Sequence, residues 1–140
     1  MSLKYYGSDA PLQEILQAIQ EDGCAVMTDV MGNEALEVFT NELEPYLSAA
    51  PKGRDNFTGK RTQRTGALIA RAPMCREFVM DRRILGLAHE FLGPHAEKLT
   101  LNLTQAVSIH PGEGTQMLHR DREAWGTNIP RNIEPQFNTL

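Results

Sequence analysis

Cysteine is scarce in this 140-residue chain: Cys24 and Cys75 stand far apart, with no CxxC pairing. Neither a zinc knuckle nor a disulfide framework is indicated, and reduced thiols in a cytoplasm are the expectation. Long apolar runs are missing too, since nothing approaches the roughly 18 consecutive apolar residues of a membrane span. The opening MSLKYYGSDA has no apolar stretch after its lysine, so it does not read as a signal peptide. Basic charge is not in excess: 14 Lys and Arg against 18 Asp and Glu leave a net charge of −4. That balance promises no polyanion and no membrane as partner. Internal repeats and low-complexity tracts are absent. What remains, 41% apolar and 23% charged residues, is ordinary for a soluble globular protein and long enough for one domain with its own core.

The first half reads as helices with short strands between them. In LQEILQAIQED (12–22), Leu12, Ile15, Leu16 and Ile19 recur at helical spacing, with Asp9 and Pro11 before them and Gly23 as a stop. CAVMTDV (24–30) reads as a short apolar strand. NEALEVFTNELEPYLSAA follows as a second helix with Leu36, Phe39, Leu43 and Leu47 in one stripe, and Pro45 should kink or end it. From 51 to 66 the pattern dissolves into PKGRDNFTGKRTQRTG, with Lys52, Arg54, Lys60, Arg61 and Arg64 against Asp55 alone. This is either a solvated basic loop or the border of a pocket for an acidic ligand. Nucleic acid is disfavoured, because no aromatic set is interleaved with these charges. ALIAR (67–71) looks like a short strand. CREFVMDRRILGLAHEFL (75–92) is expected as one third helix carrying Phe78, Leu85, Ala88 and Leu92, stopped by Gly93-Pro94. His89 and His95, at and beyond its end, read as surface histidines.

The second half changes period. In KLTLNLTQAVSIH (98–110), odd positions hold Leu99, Leu101, Leu103, Gln105, Val107 and Ile109, while even positions are mostly polar. Alternation of that length predicts a long strand with one buried face. Gln105 is the polar exception on that face and must find a partner, from the protein or from a ligand. His110 falls on the polar face. PGEG then makes a turn, and TQMLHRD resumes as the second strand of a hairpin, with Thr115, Met117, His119 and Asp121 on one face. REAWGTNIPRNIEPQ reads as a loop and FNTL as the start of another strand. Helices first and antiparallel strands afterwards make the fold α+β, a single domain over 1–140, with a helical preface at about 9–93 and strands from about 98.

His119 and Asp121 carry the chemistry. On one pleat face, an imidazole and a carboxylate at i and i+2 can chelate one ion. A facial triad of two histidines and one carboxylate binds Fe(II) and leaves three positions open. A solvated His-Arg-Asp surface cluster is the other reading of the same three residues, since a two-residue pattern recurs by chance.

The order of elements around EDGCAVMTDV and ALIARAP, and above all PGEGTQMLHRD, resembles the phytanoyl-CoA dioxygenase family of Fe(II)- and 2-oxoglutarate-dependent oxygenases. The resemblance covers nearly the whole chain and only the N-terminal half of what such proteins need. It implies helices packed on an incomplete double-stranded β-helix, the jelly-roll or cupin-like core. It implies that His119 and Asp121 are the first two iron ligands, with a later histidine and a later arginine, for the far carboxylate of 2-oxoglutarate, still to come. Gln116 matches a glutamine that contacts 2-oxoglutarate in related members, although ideal alternation places it opposite His119 unless a bulge re-aims it. Gln105 is the alternative co-substrate contact. Arg64, Arg71 and Trp125 are candidates for the substrate pocket, beside ordinary salt-bridge and loop-filling roles. The implied reaction is oxidative decarboxylation of 2-oxoglutarate to succinate and CO2, coupled to hydroxylation or desaturation of a small organic substrate. Asp121, a carboxylate rather than a small residue, disfavours halogenation. Two further readings remain: a non-catalytic jelly-roll relic or interaction module, and a homodimer that pairs open sheet edges and recruits His110 or His95 as third ligand.

Overall fold

The computed structural model describes residues 3–121, 125, 126 and 128–139. Helices and short strands alternate: β1 (Tyr5–Tyr6), α1 (Leu12–Asp22), β2 (Val26–Met27), α2 (Asn33–Ser48), β3 (Thr62–Gly66), α3 (Leu68–Arg71), α4 (Cys75–Val79), α5 (Arg82–Leu92), a single 3-10 turn (Gly93–His95) and β4 (Gln105–Ile109). This mixture of helices and small sheets is compatible with an α+β protein. Among the described residues, no helix is long and apolar enough to cross a membrane. The chain divides into two compact units, one of residues 1–33, 79–99 and 122–140, the other of 34–78 and 100–121.

The first unit holds the apolar core. α1 buries Ile15, Leu16 and Ala18, and Gly23 ends it in the left-handed region (φ 79°), its N–H donating to Ile19 O. Leu87 of α5 joins Ile15 and Leu16, with Tyr6, Leu12, Met27 and Phe91 packed around them. β1 and β2 pair in parallel, Tyr5 opposite Val26. The strand expected over 24–30 is thus confined to Val26–Met27. Phe137 does not begin a strand; its ring lies 5.8 Å from that of Phe91 and covers the same core.

The single helix expected over 75–92 is two. Asp81 breaks it, accepting from Arg83 N at 2.8 Å and Ile84 N at 3.2 Å as the N-cap of α5. An aspartate gains more by satisfying first-turn donors than by sitting inside a helix. The inward stripe shifts accordingly: Leu87 is buried and Leu85 exposed.

In the second unit, Pro45 does not end α2, which runs through it to Ser48. Proline removes one amide donor from the helix, and separately the carbonyls at the helix end, which have no intrahelical partner, find a side-chain donor. Gln63 Nε2 donates to Ala50 O at 2.7 Å, Leu47 O at 3.2 Å and Ser48 O at 3.3 Å. ALIAR is not a strand but the short helix α3: Ala67 adopts φ 57° and turns the backbone out of β3, while Leu68 is buried and its N–H donates to Thr104 Oγ1. The strand lies just before it, in TQRTG, inside the stretch that reads as loop. Its buried residues are Thr62 and Thr65, polar side chains that leave no apolar period. Thr62 Oγ1 donates to Glu113 Oε2 and Thr65 Oγ1 accepts from Arg71.

β3 pairs antiparallel with β4, Thr62 opposite Ile109 and Gly66 opposite Gln105. The long strand of 98–110 therefore reduces to 105–109, and its face is inverted. Val107 and Ile109 are 46% and 69% exposed and Leu103 64%, while Ala106 and Ser108 are half-buried. Among the described residues no second layer covers the apolar side. Gln105, expected to point into a core, is exposed. The partner expected for β4, residues 115–121, is not a strand either, because these residues anchor to the loop before β3.

Candidate metal centre

The turn after β4 directs the chain toward that loop. Gly112 has φ 81°, and a Cβ there would lie 2.6 Å from Arg61 Nη1, which itself donates to Pro111 O at 2.9 Å. A glycine is needed both for the backbone and for the space. Glu113 then fastens the far side: Oε2 accepts from Arg61 N at 2.5 Å and from Thr62 Oγ1 at 2.9 Å, and Oε1 from Gly114 N. Those donors, the Arg61 amide first, hold the Glu113 carboxyl below the usual carboxylate range. Three residues on, Gln116 Nε2 donates to Phe57 O at 2.6 Å. The segment that carries the HRD triplet is thereby tied to residues 57–62.

His119 and Asp121 do come together. Nε2 of the imidazole lies 3.5 Å from Asp121 Oδ1, and both side chains stay solvent-accessible. His119 Nδ1 donates to Met117 O at 2.8 Å. A ring that carries its proton at Nδ1 has the Nε2 lone pair available to a metal on the side where Asp121 lies. Nε2 and Oδ1 are close enough together for one ion to be held by both. Imidazole nitrogen plus carboxylate oxygen suits a divalent first-row metal such as Fe(II). The pair fits two legs of a triad, and no group of three metal-ligating side chains occurs among the described residues. The pairing needs no strand; a local turn closed by the Met117 carbonyl does the same work.

The other candidates are distributed differently. Gln116 uses one amide N–H on Phe57, which leaves a second N–H and Oε1. Gln105 stands at the exposed start of β4, opposite Gly66. Arg64 Nη1 donates to Thr58 O. With Lys52, Arg54, Asp55, Thr58 and Thr62, Arg64 lines an open cleft of about 340 Å³. Arg71 donates to Thr65 Oγ1 at 2.6 Å and lies 5.2 Å from the centroid of the Tyr46 ring. Trp125, in the first unit, donates from its indole to Gln136 Oε1 at 3.2 Å. His110 is committed as well. Because the Gln63 amide nitrogen serves three carbonyls, its Oε1 is the acceptor, and His110 Nε2 donates to it at 2.8 Å.

Sequence reasoning missed Phe57, whose ring meets the His119 imidazole with centroids 5.0 Å apart. The available signal was that Phe57 is the only aromatic in the basic stretch. It also missed Glu113, a lone acid inside the PGEG turn. No signal marked Gln63, whose partners are the backbone carbonyls of Leu47, Ser48 and Ala50 at and just beyond the end of α2, and the His110 ring.

Known proteins with similar sequences include several named as dioxygenases. Dioxygenase swnH2 of Arthroderma benhamiae is 30% identical over 139 residues, covering 88% of this chain and 44% of its own length. Multifunctional dioxygenase ausE of Emericella nidulans is 25% identical, with 88% and 43% covered. Multifunctional dioxygenase prhA of Penicillium brasilianum is 26% identical, with 97% and 48% covered. The chain spans about half the length of these curated relatives. The model of the phytanoyl-CoA dioxygenase (PhyH) family matches residues 19–137, a span that contains the whole of PGEGTQMLHRD, and the chain therefore belongs to that family.

Proposed function

We propose that this chain supplies the first two iron ligands, His119 and Asp121, of a 2-oxoglutarate-dependent dioxygenase acting on a small organic substrate. The observation that carries the proposal is the pair itself, Nε2 and Oδ1 3.5 Å apart with Nδ1 already donating to Met117 O. Bound Fe(II) with 2-oxoglutarate and O2 would supply the oxidising chemistry, releasing succinate and CO2 as it hydroxylates or desaturates the substrate. The chain's own part is geometry. His119 offers a lone pair in a fixed tautomer, and Asp121 offers a carboxylate beside it. Gln116 keeps one N–H and Oε1 for the co-substrate, a better placement than Gln105. Lys52, Arg54 and Arg64 around the cleft suit an acidic part of the substrate. Arg71 is engaged with Thr65 and Tyr46 and serves the scaffold first. The apolar odd face of β4 is the side on which a jelly-roll core would be completed. Free Cys24 and Cys75 are in keeping with a reducing compartment such as the cytoplasm.

A two-ligand site holds a metal poorly, because each missing ligand removes binding free energy. The 140-residue chain by itself is expected not to turn over 2-oxoglutarate. The test is succinate formation with Fe(II) and 2-oxoglutarate under air. Turnover beyond one equivalent, lost in Asp121→Ala, would show that two ligands suffice. Metal binding that is unchanged in both His119→Ala and Asp121→Ala would remove the proposal.

A further inference from the structure

Rotation of an imidazole about its outer torsion is soft, so a histidine ligand depends on its neighbours to hold the ring plane. His119 has two such neighbours. Its Nδ1 donates to Met117 O, and the Phe57 ring meets it edge to face, centroids 5.0 Å apart and planes at 63°. That geometry lies within the range in which aromatic pairs attract. Phe57 is itself held on both sides. Its carbonyl accepts from Gln116 Nε2 at 2.6 Å. Thr58, the next residue, closes a turn on Asp55, with Thr58 N and Oγ1 donating to Asp55 Oδ1 at 2.7 and 2.8 Å. The same donors, the Thr58 amide first, hold the Asp55 carboxyl below its ordinary range, so it is an ionised acceptor at neutral pH. Arg64 adds a bond to Thr58 O. Core formation does not account for this arrangement, since Phe57 remains 51% exposed.

We infer that Phe57 is a positioning residue for the metal centre: it holds the plane of the His119 imidazole so that Nε2 faces Asp121. The inference rests on reading His119 as a ligand. On this inference Phe57 acts through the histidine, by the ring contact it makes with His119.

The experiment is NMR of the His119 ring CH groups in the 140-residue chain, with Mn(II) as the paramagnetic probe. In the unaltered chain, an NOE joins the Phe57 ring protons to those of His119. Phe57→Leu removes the aromatic ring current, so the His119 ring resonances move, whereas Phe57→Tyr leaves them in place. The Mn(II) concentration that half-broadens the His119 and Asp121 signals rises about threefold to tenfold in the Leu variant and returns in the Tyr variant. A missing NOE overturns the inference without reliance on any variant. So does a Mn(II) titration in which Leu and Tyr at position 57 behave alike. Signals of His119 and Asp121 that Mn(II) leaves untouched in the unaltered chain overturn the metal reading, and this inference with it.

Discussion

The side chains of Asp121 and His119 are solvent-accessible, so single substitutions there should act on metal binding and leave the fold alone. Asp121→Ala is expected to weaken Mn(II) binding by at least about tenfold with an unchanged thermal midpoint, measured by calorimetry and circular dichroism. A midpoint that drops along with affinity would mean that Asp121 is structural. Gly112 presents the opposite case. With φ 81° and Arg61 against the missing Cβ, Gly112→Ala should cost about 1–2 kcal/mol in urea unfolding. An unchanged midpoint would show that the turn is not under this constraint. At this scale the site was half legible. His-x-Asp is a pattern of residue types, readable in any chain. The partners of His119, namely the Met117 carbonyl and Phe57, were not. One is backbone, and the other lies 62 positions away in sequence.

Among the elements, α5 depends on its cap. Asp81→Ala should cost about 1 kcal/mol, and its pH dependence has a definite sign. Burial pushes the Asp81 carboxyl up, but the hydrogen bonds from Arg83 N and Ile84 N outweigh it and leave the group below the ordinary aspartate range. A depressed carboxylate contributes stability that is present above the unfolded value and lost as pH falls through the folded one. Glu113, lowered from 4.5, and Asp55, lowered from 3.8, have the same sign. Thermal stability should therefore decline as pH falls below about 4.5, and less steeply in Asp81→Ala. A variant whose acid profile matches the unaltered chain would contradict this account of the cap. The elements that sequence located well are α1 and α2, where apolar residues recur at helical spacing. β3 escaped because its inward residues are Thr62 and Thr65, satisfied by Glu113 and Arg71, so burial left no apolar trace.

For the whole molecule, apolar residues divide into those that are covered and those that are not. Leu87 is 2% exposed in the cluster with Ile15 and Leu16, and Leu87→Ala should cost about 2–5 kcal/mol. Ile109, 69% exposed on the outer face of β4, should tolerate Ile109→Thr within about 0.5 kcal/mol. Equal losses at the two positions would show that the face of β4 is buried after all. The same face, with Leu101, Leu103 and Val107, should bind an apolar dye such as ANS, and Leu103→Ser with Val107→Ser should reduce the signal. Dye binding that the double variant leaves unaltered would place the apolar surface elsewhere.

Residue order alone determined the helical spacing of α1 and α2, the period of two through 105–109, the turn at PGEG and the adjacency of an imidazole to a carboxylate. Each depends on neighbours within a few positions. Only the tertiary structure decided which side of β4 lies inward, that β3 rather than residues 115–121 pairs with it, and that Asp81 divides a helix. It also brought Phe57 against His119. Those outcomes depend on contacts between residues far apart in sequence. Whether a leucine is buried or exposed is settled by what lies over it, and its own pattern carries no record of that.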